Sequence, residues 1–71
     1  MRNLYDRLKP EYKAILHEQA IQYPAAIAAF TQELKSHEFV MDLTYGTAVS
    51  LSNFLSLPNY DFVTISNLFE S

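Results

Sequence analysis

Between Leu8 and Tyr23 the apolar side chains recur at steps of three and four: Leu8, Tyr12, Ile15, Leu16, Ala20 and Tyr23. That spacing sets them on one stripe of an α-helix, a stripe that other elements have to cover. Glu11, Glu18 and Gln22 fall on one flank, Lys13 and His17 on the other. Ile21 lies on the far side and must find a separate contact or remain exposed. Pro10 opens the run at a position where a helix loses nothing by the missing N–H. Pro24 repeats the device and divides this helix from a second one. In the second, Tyr23, Ile27, Phe30 and Leu34 share a face, with Ala25, Ala28 and Ala29 roughly opposite. Those alanines serve helix propensity, or else make a smooth face for another helix. Upstream, Asn3 is placed to cap a short helical turn running to Leu8.

The second half reads less cleanly. From Glu38 to Leu57 the apolar residues are Phe39, Val40, Leu43, Ala48, Leu51, Phe54 and Leu55, with the only glycine, Gly46, among them. One long helix would carry that glycine at a cost of about 1 kcal/mol. The alternative, preferred here, is a break at Gly46 with Thr47 capping the helix after it. Pro58 punctuates the chain again, and a last helix is expected from Asn59, with Asp61 in its first turn where the helix dipole favours an anion. Phe62, Ile65, Leu68 and Phe69 would form its apolar side. A strand over Phe62–Ile65 is rejected, because it would have no strand to pair with. The expected fold is all-α, a bundle of about four helices forming one domain over residues 1–71.

At 71 residues, such a domain buries only about 60% of its unfolded surface. It has no cysteine, so neither disulfides nor thiolate metal sites contribute. Yet the chain is 49% hydrophobic and 14% aromatic, more than so small a core takes in. Apolar surface facing solvent is therefore expected, and with it a homodimer or a stable complex with another protein. No run approaches the roughly 20 apolar residues of a membrane span, and the first residues, with Arg2, Asp6, Arg7 and Lys9, form no apolar signal core. The expectation is a cytoplasmic protein with no membrane partner.

Enzymatic chemistry finds little to work with. A single glycine builds no phosphate-cradling loop. His17 and His37 stand 20 residues apart without the spacing of a helical zinc site, and both read as surface histidines. The acidic residues up to Asp42 fall on different helical faces, so no carboxylate pair is prepared for acid–base work. A Ser–His–Asp arrangement would need a pocket that excludes water, which a chain of this length does not spare. No catalytic residue, cofactor, metal or small-molecule substrate is expected, and the protein is not read as an enzyme.

Residues 48–67 carry a pattern of their own. Apolar side chains stand at Leu51, Leu55, Leu57, Phe62 and Ile65 around the short turn Ser56–Leu57–Pro58–Asn59. This resembles the helix-turn-helix unit of small bacterial and phage regulators, whose two helices are pinned at such positions. The resemblance implies a recognition helix beginning at Asn59 and a DNA-binding transcriptional regulator. Ser52 departs from the small alanine usual in the family, and Ser56 from its glycine. Two helices joined by a tight turn, without DNA binding, account for the same pattern.

Charge placement opposes DNA. All five basic residues, Arg2, Arg7, Lys9, Lys13 and Lys35, precede residue 36, and the rest of the chain holds Glu38, Asp42, Asp61 and Glu70 with no Lys or Arg. Affinity for phosphates comes from cations that neutralise them, so specific DNA is not expected as a partner. The tyrosines point elsewhere, since this side chain joins a large contact area to a polar tip. In the cation-free half, Tyr45, Asn53, Asn59, Tyr60, Asp61 and Thr64 are the candidate partner-binding residues. The function expected is a small protein–protein interaction module. Small acidic proteins of this type serve as adaptors or inhibitors, phage proteins acting on host machinery among them.

Overall fold

A computed structural model describes residues 2–70, and among these the chain is all-α. Helix α1 (Leu4–Arg7), α2 (Pro10–Gln22) and α3 (Pro24–Lys35) are followed by a 3₁₀ turn (Val40–Asp42), α4 (Tyr45–Leu55) and α5 (Phe62–Ser66). Three of the five helices start on the same device. Asn3 Oδ1 accepts from Asp6 N–H at 2.9 Å, Thr44 Oγ1 from Thr47 N–H at 3.2 Å, and Asp61 Oδ1 from Thr64 N–H at 2.9 Å. Each satisfies an N–H that the first helical turn leaves without a partner. The other two, α2 and α3, start on Pro10 and Pro24 instead. Tyr23 sits between them at φ −129°, ψ 63°, outside the helical region that the following proline disfavours.

The break in the second half falls before Gly46, not at it. Leu43 and Thr44 are extended, and Gly46 lies inside the first turn of α4. Thr47, expected to cap, is instead the residue that Thr44 caps. Its buried hydroxyl bonds to Thr44 Oγ1 at 2.9 Å and donates to Glu33 Oε1 on α3 at 3.4 Å. The last helix also begins later than Asn59. Ser52, buried on α4, donates its hydroxyl to the Asn59 carbonyl at 3.2 Å as well as to Ala48 O at 3.1 Å. That bond holds residue 59 against α4, and the cap passes to Asp61. Pro58 therefore lies in a loop and starts no helix, and α5 is only five residues long.

The core consists of Leu4, Leu8, Leu16, Ile27, Phe30, Leu34, Leu51, Leu55, Ile65, Leu68 and Phe69. Helix α2 packs on α3 and α4, α1 on α3, and α5 on the 3₁₀ turn. Phe30 and Phe54 join α3 to α4, with ring centroids 5.4 Å apart. Residues 68–70 return to the N-terminal segment as a backbone clasp. Lys9 N–H donates to Leu68 O at 2.9 Å and Glu70 N–H to Arg7 O at 2.7 Å. The Arg7 guanidinium reinforces it by donating to the carbonyls of Glu38 and Glu70. Phe62, expected on the apolar inner side with Ile65, Leu68 and Phe69, points outward instead. It shares a helical side with Ile65, three residues on, but stands at the first position of α5, one turn short of the core that Ile65 reaches.

Candidate functional site

Of the eight large hydrophobic side chains that stay exposed among the described residues, six lie between residues 39 and 63: Phe39, Met41, Tyr45, Tyr60, Phe62 and Val63. The backbone explains this concentration. Phe39, Val40 and Met41 are consecutive, and a 3₁₀ turn sends successive side chains in different directions. Val40 turns inward to pack on the core, whereas Met41 is left 73% exposed. Tyr45 and Phe62 are the first residues of α4 and α5, where the chain has just left an extended cap.

All of these side chains but Val63 line two adjoining grooves. The first, of about 200 Å³, runs between the 3₁₀ turn and the loop before α5, with Leu43, Ala48 and Ile65 at its base and Met41, Tyr45, Tyr60 and Phe62 at its sides. The second, of about 250 Å³, is lined by Phe39, Phe69, Ser66, Arg7 and Glu70. Val40, Met41 and Phe62 line both and so form the wall between them. Ser66 Oγ is buried without a hydrogen-bond partner in the structure, an arrangement that costs free energy until something bonds to it.

Of the six residues expected from sequence, the structure brings Tyr45 and Tyr60 together. Their rings meet edge to face with centroids 5.3 Å apart, and their hydroxyls lie at 3.0 Å. The hydrogen bond to Tyr60, and the charge that a neighbouring phenolate would add, raise the Tyr45 phenol above the ordinary tyrosine value. Asp61 and Thr64 form a second unit, lining neither groove: Asp61 accepts from the backbone and the hydroxyl of Thr64, at 2.9 and 3.2 Å. The backbone bond from Thr64 holds the Asp61 carboxyl below the usual aspartate range, so it is charged at neutral pH. Asn53 and Asn59 are exposed but line neither groove. Asn53 lies eight residues beyond Tyr45 on α4, about 80° round the helix.

Val40, Met41 and Phe62, which form the shared wall, were not among the candidates. The signal for the first two was legible as Phe39–Val40–Met41, three apolar residues in a row that no single helical face can bury. Phe62 reads as a core residue because it shares a helical side with Ile65, and the spacing does not show that the core stops short of the first position of α5.

The electrostatics of the two grooves differ. No ion pair among the described residues involves Asp42 or Asp61, the chain neighbours of lining residues of the first. At the second, Glu70 pairs with Arg2 at 2.9 Å, and the Arg7 guanidinium lies alongside. His17, exposed, shares a hydrogen bond with the Tyr5 hydroxyl at 3.0 Å, and His37, partly buried, one with Glu33 at 3.2 Å. Among the described residues no three His, Cys, Asp or Glu gather as a metal cluster would, and no helix is long and apolar enough to cross a membrane. Where the helix-turn-helix pattern was read, six residues, Ser56–Asp61, separate α4 from a helix about 7.5 Å long. In comparisons with family models, curated proteins and solved structures, nothing matches the chain.

Proposed function

We propose that the protein is a non-catalytic protein–protein interaction module, an adaptor or inhibitor, and that it engages its partner through the surface between Phe39 and Val63. One observation carries this reading: five exposed large hydrophobic side chains, Phe39, Met41, Tyr45, Tyr60 and Phe62, converge on two adjoining grooves. Singly exposed apolar residues are ordinary, whereas a contiguous patch of them is an interaction surface or a liability. The aromatic character of the patch suits the role, since Tyr, Phe and Met are enriched where proteins meet. The DNA-binding alternative has less behind it. α5 is five residues long, begins at an ionised aspartate and is followed by no Lys or Arg, so neither length nor charge serves a recognition helix.

The test is photo-crosslinking in the native cells, with a crosslinking residue placed at Met41 in one variant and at Glu18 on the exposed outer side of α2 in another. The expected result is a discrete protein adduct from position 41 and none from position 18, unchanged by nuclease. Equal yields from both positions, or an adduct at 41 lost on nuclease treatment, would count against the reading.

A further inference from the structure

We infer that the occupant of the paired grooves is an amphipathic segment of a partner protein that inserts two neighbouring apolar side chains and carries Lys or Arg beside the one entering the first groove. This rests on the proposed function and specifies the chemistry of the partner. The two grooves share a wall of Val40, Met41 and Phe62, so a ligand filling both brings two anchors that straddle it. Peptide segments that dock in apolar grooves do so through closely spaced anchors of this kind.

Charge selects among the occupants. Asp42 lies between Met41 and Leu43 in the chain and Asp61 between Tyr60 and Phe62, so each exposed aspartate is the immediate chain neighbour of two residues that line the first groove, though neither lines it itself. Neither has an ion-pair partner among the described residues. No Lys or Arg occurs after Lys35, and Arg7, at the second groove, is engaged by two backbone carbonyls. A second copy docked by its own face would set Asp42 and Asp61 against their like, in a half that carries −4 from Glu38, Asp42, Asp61 and Glu70. An isologous dimer of that kind is opposed by repulsion. An anionic lipid surface is repelled for the same reason. A segment with cations beside its apolar anchors is attracted by what repels these two.

The experiment is selection of the intact chain against a random displayed peptide library, followed by titration of a chemically synthesised selected peptide. Peptides with two close apolar residues and an adjacent Lys or Arg should be enriched, and binding should weaken as salt is raised. Met41→Ala and Phe62→Ala should each weaken binding about tenfold or more. The pair Asp42→Asn and Asp61→Asn should weaken it about fivefold and flatten its salt dependence, while Ile21→Ala changes nothing. Asparagine caps a helix about as well as aspartate, and circular dichroism melts verify that the variants remain folded. Enriched peptides with no basic residue, or unchanged binding in the Asp42/Asp61 variant, would overturn the inference. So would a dimer in sedimentation that Met41→Glu dissociates, or binding to neutral lipid vesicles that Phe62→Ala abolishes. If the crosslink from position 41 still captures a protein while the selected peptides lack cations, the partner's chemistry is wrong and the proposed function stands. If neither selection nor crosslinking yields a ligand, both fail.

Discussion

Helices α2 and α3, of 13 and 12 residues, and the stretch from Phe39 to Val63 are built from similar amounts of apolar side chain and use it in opposite ways. In the first region the apolar stripe turns inward, burying Leu16, Ile27, Phe30 and Leu34, and only Ile21 and Tyr23 among its large apolar residues are left in solvent. In the second, the chain is cut into a three-residue turn, α4, a loop and a five-residue helix, and six large apolar side chains stay outside. A long helix holds one face toward its neighbours for several turns, so its pattern can be matched to a core. A segment of one turn or less sends consecutive side chains to different sides. The difference teaches that the second region divides its apolar side chains: α4 gives Leu51 and Leu55 to the core, whereas the six exposed ones are surplus to folding and, on the proposed function, serve recognition.

The largest test of that division is a set of alanine substitutions compared by urea denaturation. Leu16→Ala and Leu51→Ala remove side chains with no exposed surface and should cost about 2–5 kcal/mol each. A domain of this size has only about 3–5 kcal/mol to lose, so both variants should be largely unfolded at room temperature. Met41→Ala and Phe62→Ala should each stay within about 0.5 kcal/mol of the parent. If Phe62→Ala cost as much as Leu16→Ala, the patch would belong to the core and the comparison would break.

The same contrast explains what could be read from sequence. The first region was legible because two prolines and a three-and-four spacing agree on where each helix starts and which way it faces. Leu8, Leu16, Ile27, Phe30 and Leu34 all fall in the core as that pattern requires. Tyr23 is the exception, half exposed because it sits at the junction of two helices. The second region was less legible because its starts depend on competition between caps. Thr44 against Thr47, and Asp61 against Asn59, are chemically near-equivalent choices. Tertiary bonds decided them: Thr47 to Glu33, and Ser52 to the Asn59 carbonyl. Of the candidate site, Tyr45 and Tyr60 were found from their type and setting, whereas Phe62 reads as core because it shares a helical side with Ile65, although it stays exposed at the first position of α5.

A smaller effect sharpens the picture of how the second region is held. Ser56 ends α4 in the left-handed conformation, at φ 55°, which glycine adopts without the Cβ penalty. Gly46 is the reverse case: a Cβ there would meet only Thr44 Oγ1, at 4.0 Å, and alanine is the better helix former. Ser56→Gly should therefore stabilise by up to about 1 kcal/mol, and Gly46→Ala by about 0.5–1 kcal/mol, with additive melting shifts in the double variant. Destabilisation by Gly46→Ala would mean that this end of α4 needs the glycine for something besides the helix.

The smallest expected effect concerns ionisation at the first groove, where Asp61 and Tyr45 are both displaced from ordinary values. The signs are opposite. Asp61 is held low by the Thr64 N–H it accepts, so its contribution to stability is present above the ordinary aspartate range and is lost as pH falls through the lowered value. Tyr45 is held high by Tyr60, so its contribution is present below the ordinary tyrosine range and is lost as pH rises through the raised value. Both side chains face solvent, which keeps either effect on overall stability slight. The titration of Tyr45 itself is the sharper readout. Its phenolate, followed by ultraviolet difference spectra, should appear at higher pH than that of a free tyrosine, and Tyr60→Phe should return it toward the ordinary value. An ordinary Tyr45 titration in the parent protein, unmoved by Tyr60→Phe, would mean that the two rings do not meet in solution. The first groove would then lose two of its sides, and the contrast between the two regions would rest on Phe39, Met41, Phe62 and Val63.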